Sequence, residues 1–277
     1  MDATMLSFLA APFVASLILT GIHTYLGVHV VERGVIFVDL SLAQIAVLGA
    51  TLAFVLQAGE AHTPFVYWMS LGFTFVGAAV FATVRTQKSR IPQEAVIGIC
   101  YAVASAASIL AMSKAPSESE HLKDMLVGNI LAVSWEKVIQ TAVLYAAVGA
   151  FHYVFRKQFL AISVNHEHAE ETGLNVRFWD FLFYASFGFV VTSSVSIAGV
   201  LLVFCYLIVP SVAAMLYSER IGPRLAIGWT MGTIVSAVGV YLSLVLDLPT
   251  GATIVCVFGI ALVLMASVRP LFPRAAR

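Results

Sequence analysis

Long apolar runs separated by short polar turns fill most of this chain, and the length of each run decides what it can do. A hydrocarbon core about 30 Å thick is crossed by about 20 apolar residues in helical form. Runs of that kind predict helices over residues 6–30, 34–56, 64–85, 92–112 and 138–155. Polar turns at Glu32-Arg33, 57–63 and 86–90 part the first four, and Pro64 suits a first helical turn. The apolar stretch 178–217 has room for two crossings, with a break expected around Ser193, Ser194, Ser196 and Gly199. A helix over 225–246 and, after a turn at Asp247-Leu248-Pro249, another ending near Val268 complete an all-α, polytopic membrane fold of nine crossings. Residues 113–137 depart from the pattern. Their first half, SKAPSESEHLKD, is polar; their second, MLVGNILAVSW, is apolar but too short to cross, which predicts an external loop and then an interfacial or re-entrant helix.

One polar island interrupts the second half of the chain. Residues 165–180, NHEHAEETGLNVRFWD, hold Glu167, Glu170, Glu171, Arg177 and Asp180, with His166 and His168 among them. The spacing of His168, Glu171 and Thr172 is helical, and Gly173 stands where a short helix would stop. Such charge needs water, so the segment 158–177 is a solvated loop helix or a docking element.

Composition narrows the class. Of 277 residues, 60% are hydrophobic and 11% charged, against about 25% charged in a soluble domain. Continuous apolar runs exclude an outer-membrane barrel, which alternates instead. Net charge is zero, which argues against nucleic acid. Cys100, Cys205 and Cys256 all fall in apolar runs without metal spacing and read as small buried residues. MDATML carries no positive residue before the first apolar run, so no cleavable signal is expected. With a periplasmic N-terminus and a cytoplasmic C-terminus, Arg33, Arg85, Lys88, Arg90, Arg156, Lys157, Arg177, Arg220, Arg224, Arg269, Arg274 and Arg277 lie inside, leaving only Lys114, Lys123 and Lys137 outside. Trp68, Trp135, Trp179 and Trp229 fall near predicted helix ends, as an aromatic belt requires. The island is then cytoplasmic.

Five stretches in order carry a resemblance: ERGVIFVDLSLAQIAVLGA, QEAVIGICYA, VGNILAVSWEKV, ETGLNVRFWDFLFY with VSIAGVLLVFCYLIVPSVAAML, and LDLPTGATIV. Together they resemble the permease subunit of the zinc/manganese/iron class of ATP-binding-cassette importers, over nearly the whole chain. Within the island, Glu167-x-Ala169-xxx-Gly173 resembles the EAA loop by which such permeases dock on their ATPase, and Asn175 follows it. The resemblance implies one permease domain over 1–277 in the bacterial inner (plasma) membrane, without catalysis or a bound cofactor of its own. It implies a separate cytoplasmic ATPase, a periplasmic or lipid-anchored solute-binding protein, a second copy of the chain, and a divalent metal as cargo. The family's Gly-Asp-Ala-x-Ser-His pattern is met only at Asp39. Ala43 stands at the His position, and Gln44 is one place further on.

Ionisable residues inside a bilayer cost at least about 2.5 kcal/mol each and are functional candidates by default. Here they are His23, His29 and Asp39. Counted from the Glu32-Arg33 turn, His29 and Asp39 are expected at one depth and His23 with Gln44 deeper; His29 is either a mere structural partner of Asp39 or shares a metal path with it. Gln44 also belongs to a polar stripe with Ser41, Leu48 and Thr51. Imidazole and carboxylate suit first-row metals, with zinc favoured by the histidines and manganese and ferrous iron beside it. Glu118, Glu120, His121 and Asp124 form an external acidic cluster that guides a cation, meets a partner, or is plain loop. Gly228-xxx-Gly232-xxx-Ser236 is a small-residue stripe for a helix contact or a dimer face, with close intramolecular packing expected, and Pro210 is expected to kink its helix, as a structural bend or a hinge. The competing function is a stand-alone secondary transporter or channel, which would spread ionisable groups through several helices and show inverted repeats. No Gly-xxxx-Gly-Lys-Ser/Thr phosphate loop and no His-Glu-x-x-His metalloenzyme motif occurs.

Overall fold

A computed structural model describes residues 3–57, 63–84, 92–113 and 130–271. The regular elements among them are helical: α1 (Ala3–Glu32), α2 (Val38–Leu56), α3 (Pro64–Val84), α4 (Gln93–Met112), α5 (Trp135–Val154), α6 (Arg156–Val164), α7 (His166–Glu171), α8 (Val176–Met215), α9 (Ile221–Val245) and α10 (Thr250–Val268). Seven of these are long and apolar enough to cross a membrane, or eight if α5 and α6, bent by 75° at their junction, form one span. With 40 residues, α8 has enough chain for two crossings of a bilayer core. It leaves helical geometry at Gly199 (φ 73, ψ 163), a conformation open to glycine. The expected break is there, and Pro210 lies inside the helix beyond it.

Two boundaries differ from the pattern of apolar residues. Gly34 adopts φ 68, a left-handed conformation that ends α1, and α2 begins only at Val38. The turn between them therefore includes Gly34 to Phe37, which hydrophobicity alone had assigned to helix. After Arg156, α6 adds a helix that the sequence left unassigned. The external acidic cluster, most of the loop 113–137 and the basic turn 86–90 lie outside the described residues; of the loop's apolar half, Ile130–Ala132 form a 3-10 turn and α5 starts at Trp135.

The chain divides into two compact units. One comprises the described parts of Met1–Val31, Val127–Ala146 and Ile197–Arg277. Lipid gives helices no hydrophobic reason to associate, so close contact depends on small and polar residues. Gly27 of α1 lies against the Leu207 carbonyl and Ser211 of α8, and Ser211 Oγ donates to the Thr24 carbonyl (3.3 Å). On α9, Gly228 faces Thr24 and Gly232 faces Thr20. Ser236 Oγ pairs with the Tyr206 hydroxyl (2.9 Å), and Trp229 Nε1 donates to the Gly21 carbonyl (3.0 Å). The expected stripe is thus an intramolecular packing face.

The other unit comprises the described parts of Glu32–Leu126 and Ala147–Ser196. Its central helix is α2, buried along most of its length between neighbours. Gly49 lets the α3 backbone approach so closely that a Cβ there would stand 2.8 Å from the Met69 carbonyl, and Ser70 Oγ donates to the Ala46 carbonyl (2.8 Å). Thr74 and Thr192 hydroxyls pair at 3.1 Å, and Gln93 Nε2 donates to the Phe81 carbonyl (3.0 Å). The outer face of α4 shows Ile99, Val103, Ile109 and Leu110 outward, as a lipid-facing helix does. Cysteine placement departs from expectation: all three are free thiols, but none is fully buried and Cys256 is exposed.

Candidate coupling segment and transport path

The polar island folds as a short helix closed at both ends. Asn165 takes the N-cap, its side-chain oxygen accepting from the His168 N–H (3.0 Å). At the other end Gly173 lies at φ 83, its N–H donating to the Glu170 carbonyl (3.0 Å) and that of Leu174 to the Ala169 carbonyl (3.2 Å). That pair of bonds is a Schellman stop, which needs a left-handed residue at the position of Gly173. Asn175 then caps α8, accepting from the Phe178 N–H (3.2 Å). Beneath α7, Ala169 is buried against Ile162 and Val176, with Leu174 and Trp179 alongside. Glu167, Glu170 and Glu171 face outward, and so do the apolar side chains of Val164 and Phe178 on either side. The exposed His168–Glu171 pair at 3.7 Å contributes little. Of the four coupling residues read from sequence, Glu167 therefore offers a side chain, Ala169 seats the helix, and Gly173 and Asn175 shape its exit.

Directly behind this segment is a buried ion pair that the sequence did not reveal. Arg33 Nη1 donates to Asp180 Oδ1 at 2.6 Å and its Nε to Ser163 Oγ at 2.8 Å. Both charged side chains are withdrawn from water, and the guanidinium lies 3.9 Å over the Phe183 ring. By sequence position Arg33 belongs to a polar turn and Asp180 to the solvated island, yet both are buried. The only local hint is the setting of Asp180 between Trp179 and Phe181, at the mouth of an apolar run.

The path candidates are all buried. His23 Nδ1 donates to the Leu19 carbonyl at 2.8 Å, with its ring edge-on to Tyr145. The His29 ring meets Tyr25 edge-on, centroids 4.8 Å apart. Both histidines belong to the first unit; Asp39 and Gln44 belong to the second. Asp39 is 0% exposed, and neither carboxylate oxygen has a hydrogen-bond partner among the described residues. It lies in the first turn of α2, where unpaired N–H groups and the helix dipole favour a negative charge. The depth arithmetic that levelled Asp39 with His29 assumed a helix from Gly34, and the turn over 33–37 removes its basis. Ser41 and Thr51 of the polar stripe are fully buried and also lack partners among the described residues, so the stripe faces protein. No three His, Cys, Asp or Glu side chains gather as a metal site among the described residues.

The family described as the ABC 3 transport family matches residues 5–269. The chain belongs to that family. The resemblance read from the five stretches holds, and membership makes this a multi-pass membrane permease, a transporter by class. The manganese transport system membrane protein MntC of Listeria innocua is 30% identical over 234 residues, 82% of either chain. The chelated iron transport system membrane protein YfeC of Yersinia pestis is 29% identical over 198 residues, 72% of this chain and 67% of that one. In fold, the chain is similar to the solved structure of PsaBC from Streptococcus pneumoniae in complex with Fab, at TM-score 0.79 and 23% identity, covering 96% of this chain and 95% of that one.

Proposed function

We propose that this permease imports a divalent transition metal through the bacterial inner (plasma) membrane, driven by a separate ATPase subunit that seats on α7. The observation that carries the reading is the geometry of α7: capped at both ends, seated through Ala169, and presenting acidic and apolar side chains outward. With α5 and α6 as one crossing and α8 as two, the count is nine, and the positive turns then favour a periplasmic N-terminus and a cytoplasmic α7. The external loop 113–137 then faces a solute-binding protein, and a second copy of the chain completes the assembly.

Relatives named for manganese and for chelated iron support a first-row metal as cargo and weigh against singling out zinc. Asp39 is the proposed cargo contact in α2, with His23, His29 and Gln44 as further donors along the path and no resident cofactor. A carboxylate and an amide are hard oxygen donors, which suits manganese and ferrous iron; imidazole keeps zinc among the candidates. The test is purification of the tagged chain from its native membranes, followed by reconstitution. A co-purifying ATPase and ATP-dependent uptake of radioactive manganese, iron or zinc are expected. Metal uptake by the chain alone, driven by an ion gradient, would instead establish a secondary transporter.

A further inference from the structure

We propose that Arg33 is a positioning residue for transport, a buried link through which displacement of α7 reaches the start of α2 and, with it, Asp39. The inference rests on the reading of α7 as the ATPase seat. Its geometry lies within one unit. Ala169 of α7 is packed on Ile162 and Val176. Next to Ile162 in sequence is Ser163, and the Trp179 that flanks the same cluster is followed by Asp180. Those two residues hold the guanidinium from two helices, at 2.8 Å and 2.6 Å, while Phe183 closes it on a third side. Ser163 is itself fixed, donating to the Phe159 carbonyl at 2.8 Å, and Phe159 is stacked on His152 (centroids 4.3 Å, interplanar 15°).

Arg33 is the first residue of the turn that leads into α2, and Asp39 follows it by six positions. A rigid body built from α6, α7 and the start of α8 cannot move without drawing on this side chain. A buried ion pair is weak evidence for stability, since apolar residues of similar volume often serve as well. Its value lies instead in direction, because a bonded fork resists both pull and rotation where apolar packing slides.

The test compares the wild-type complex in proteoliposomes with Arg33→Met/Asp180→Leu, which removes both charges without stranding one. The double variant should assemble with the ATPase, unfold at nearly the wild-type temperature and hydrolyse ATP at nearly the wild-type rate. Metal moved per ATP should fall by about tenfold, an ordinary coupling between sites. A folded, assembled variant that moves wild-type metal per ATP would overturn the inference and leave the docking reading intact. Should the double variant not fold, Ser163→Ala carries the same test: it frees one side of the fork, and unchanged metal per ATP would again overturn the link. A wild-type chain that retains no ATPase would sink the docking reading and the inference with it.

Discussion

A carboxylate withdrawn from water with no donor to meet it is costly, and among the described residues none meets Asp39 at the head of α2. The first turn of the helix offsets part of that cost through its dipole. A passing divalent cation would offset more. Asp39→Asn keeps the shape and removes the charge, so the complex should assemble and hydrolyse ATP. Uptake of manganese, iron and zinc per folded complex should fall by about tenfold for every 1.4 kcal/mol of lost cation contact. Undiminished uptake with a lowered unfolding temperature would make Asp39 a structural residue only. As a candidate this residue was visible in the sequence, because a lone acid in an apolar run stands out. Its environment was not. The left-handed Gly34 and the four-residue extension of the turn that moves Asp39 to the helix start leave no mark in a pattern of hydrophobicity.

Several elements with local causes were legible, though the turn at Gly34 was not. The stop at Gly173, the packing stripe on α9 and the break at Gly199 each follow from what glycine permits, and all three are present. Non-local causes stayed hidden. Arg33 and Asp180 are 147 positions apart, and no window of sequence relates them. By contrast α6 is held by its near neighbours in the chain, Ile162 on Ala169 and Val176 and Phe159 on Trp179 and Phe183, and was missed because its own residues are only weakly apolar. For α7, the shape of the stop gives a direct prediction. A β-branched side chain at φ 83 costs on the order of 1–2 kcal/mol in local strain, and nothing crowds the site to add a packing loss. Gly173→Val should therefore remain in the membrane and bind the ATPase about tenfold more weakly, measured by retention on an affinity resin. Wild-type retention and transport would mean that α7 is not the seat.

At the scale of the whole molecule, orientation and partners are open to labelling. With Cys100, Cys205 and Cys256 replaced, Ser119→Cys should react with a membrane-impermeant thiol reagent from the periplasmic side, and saturating solute-binding protein should protect it. Reaction only from the cytoplasm would reverse the orientation and place α7 outside. The closed ends of α7 bear on a different property of the assembly, its thermodynamic signature. Asn165 meets the His168 N–H, the Gly173 and Leu174 N–H groups close the far end on Glu170 and Ala169, and Ala169 packs on the chain's own Ile162 and Val176. An ATPase arriving there meets a surface already ordered and has no folding entropy to supply. Association should then show a heat-capacity change set by the buried contact area alone, well short of the burial of 1,000–3,000 Å² typical of coupled folding. Calorimetry of the detergent-solubilised permease against its ATPase, repeated at several temperatures, would read this directly: a coupled-folding signature would mean that α7 takes its shape only from the partner.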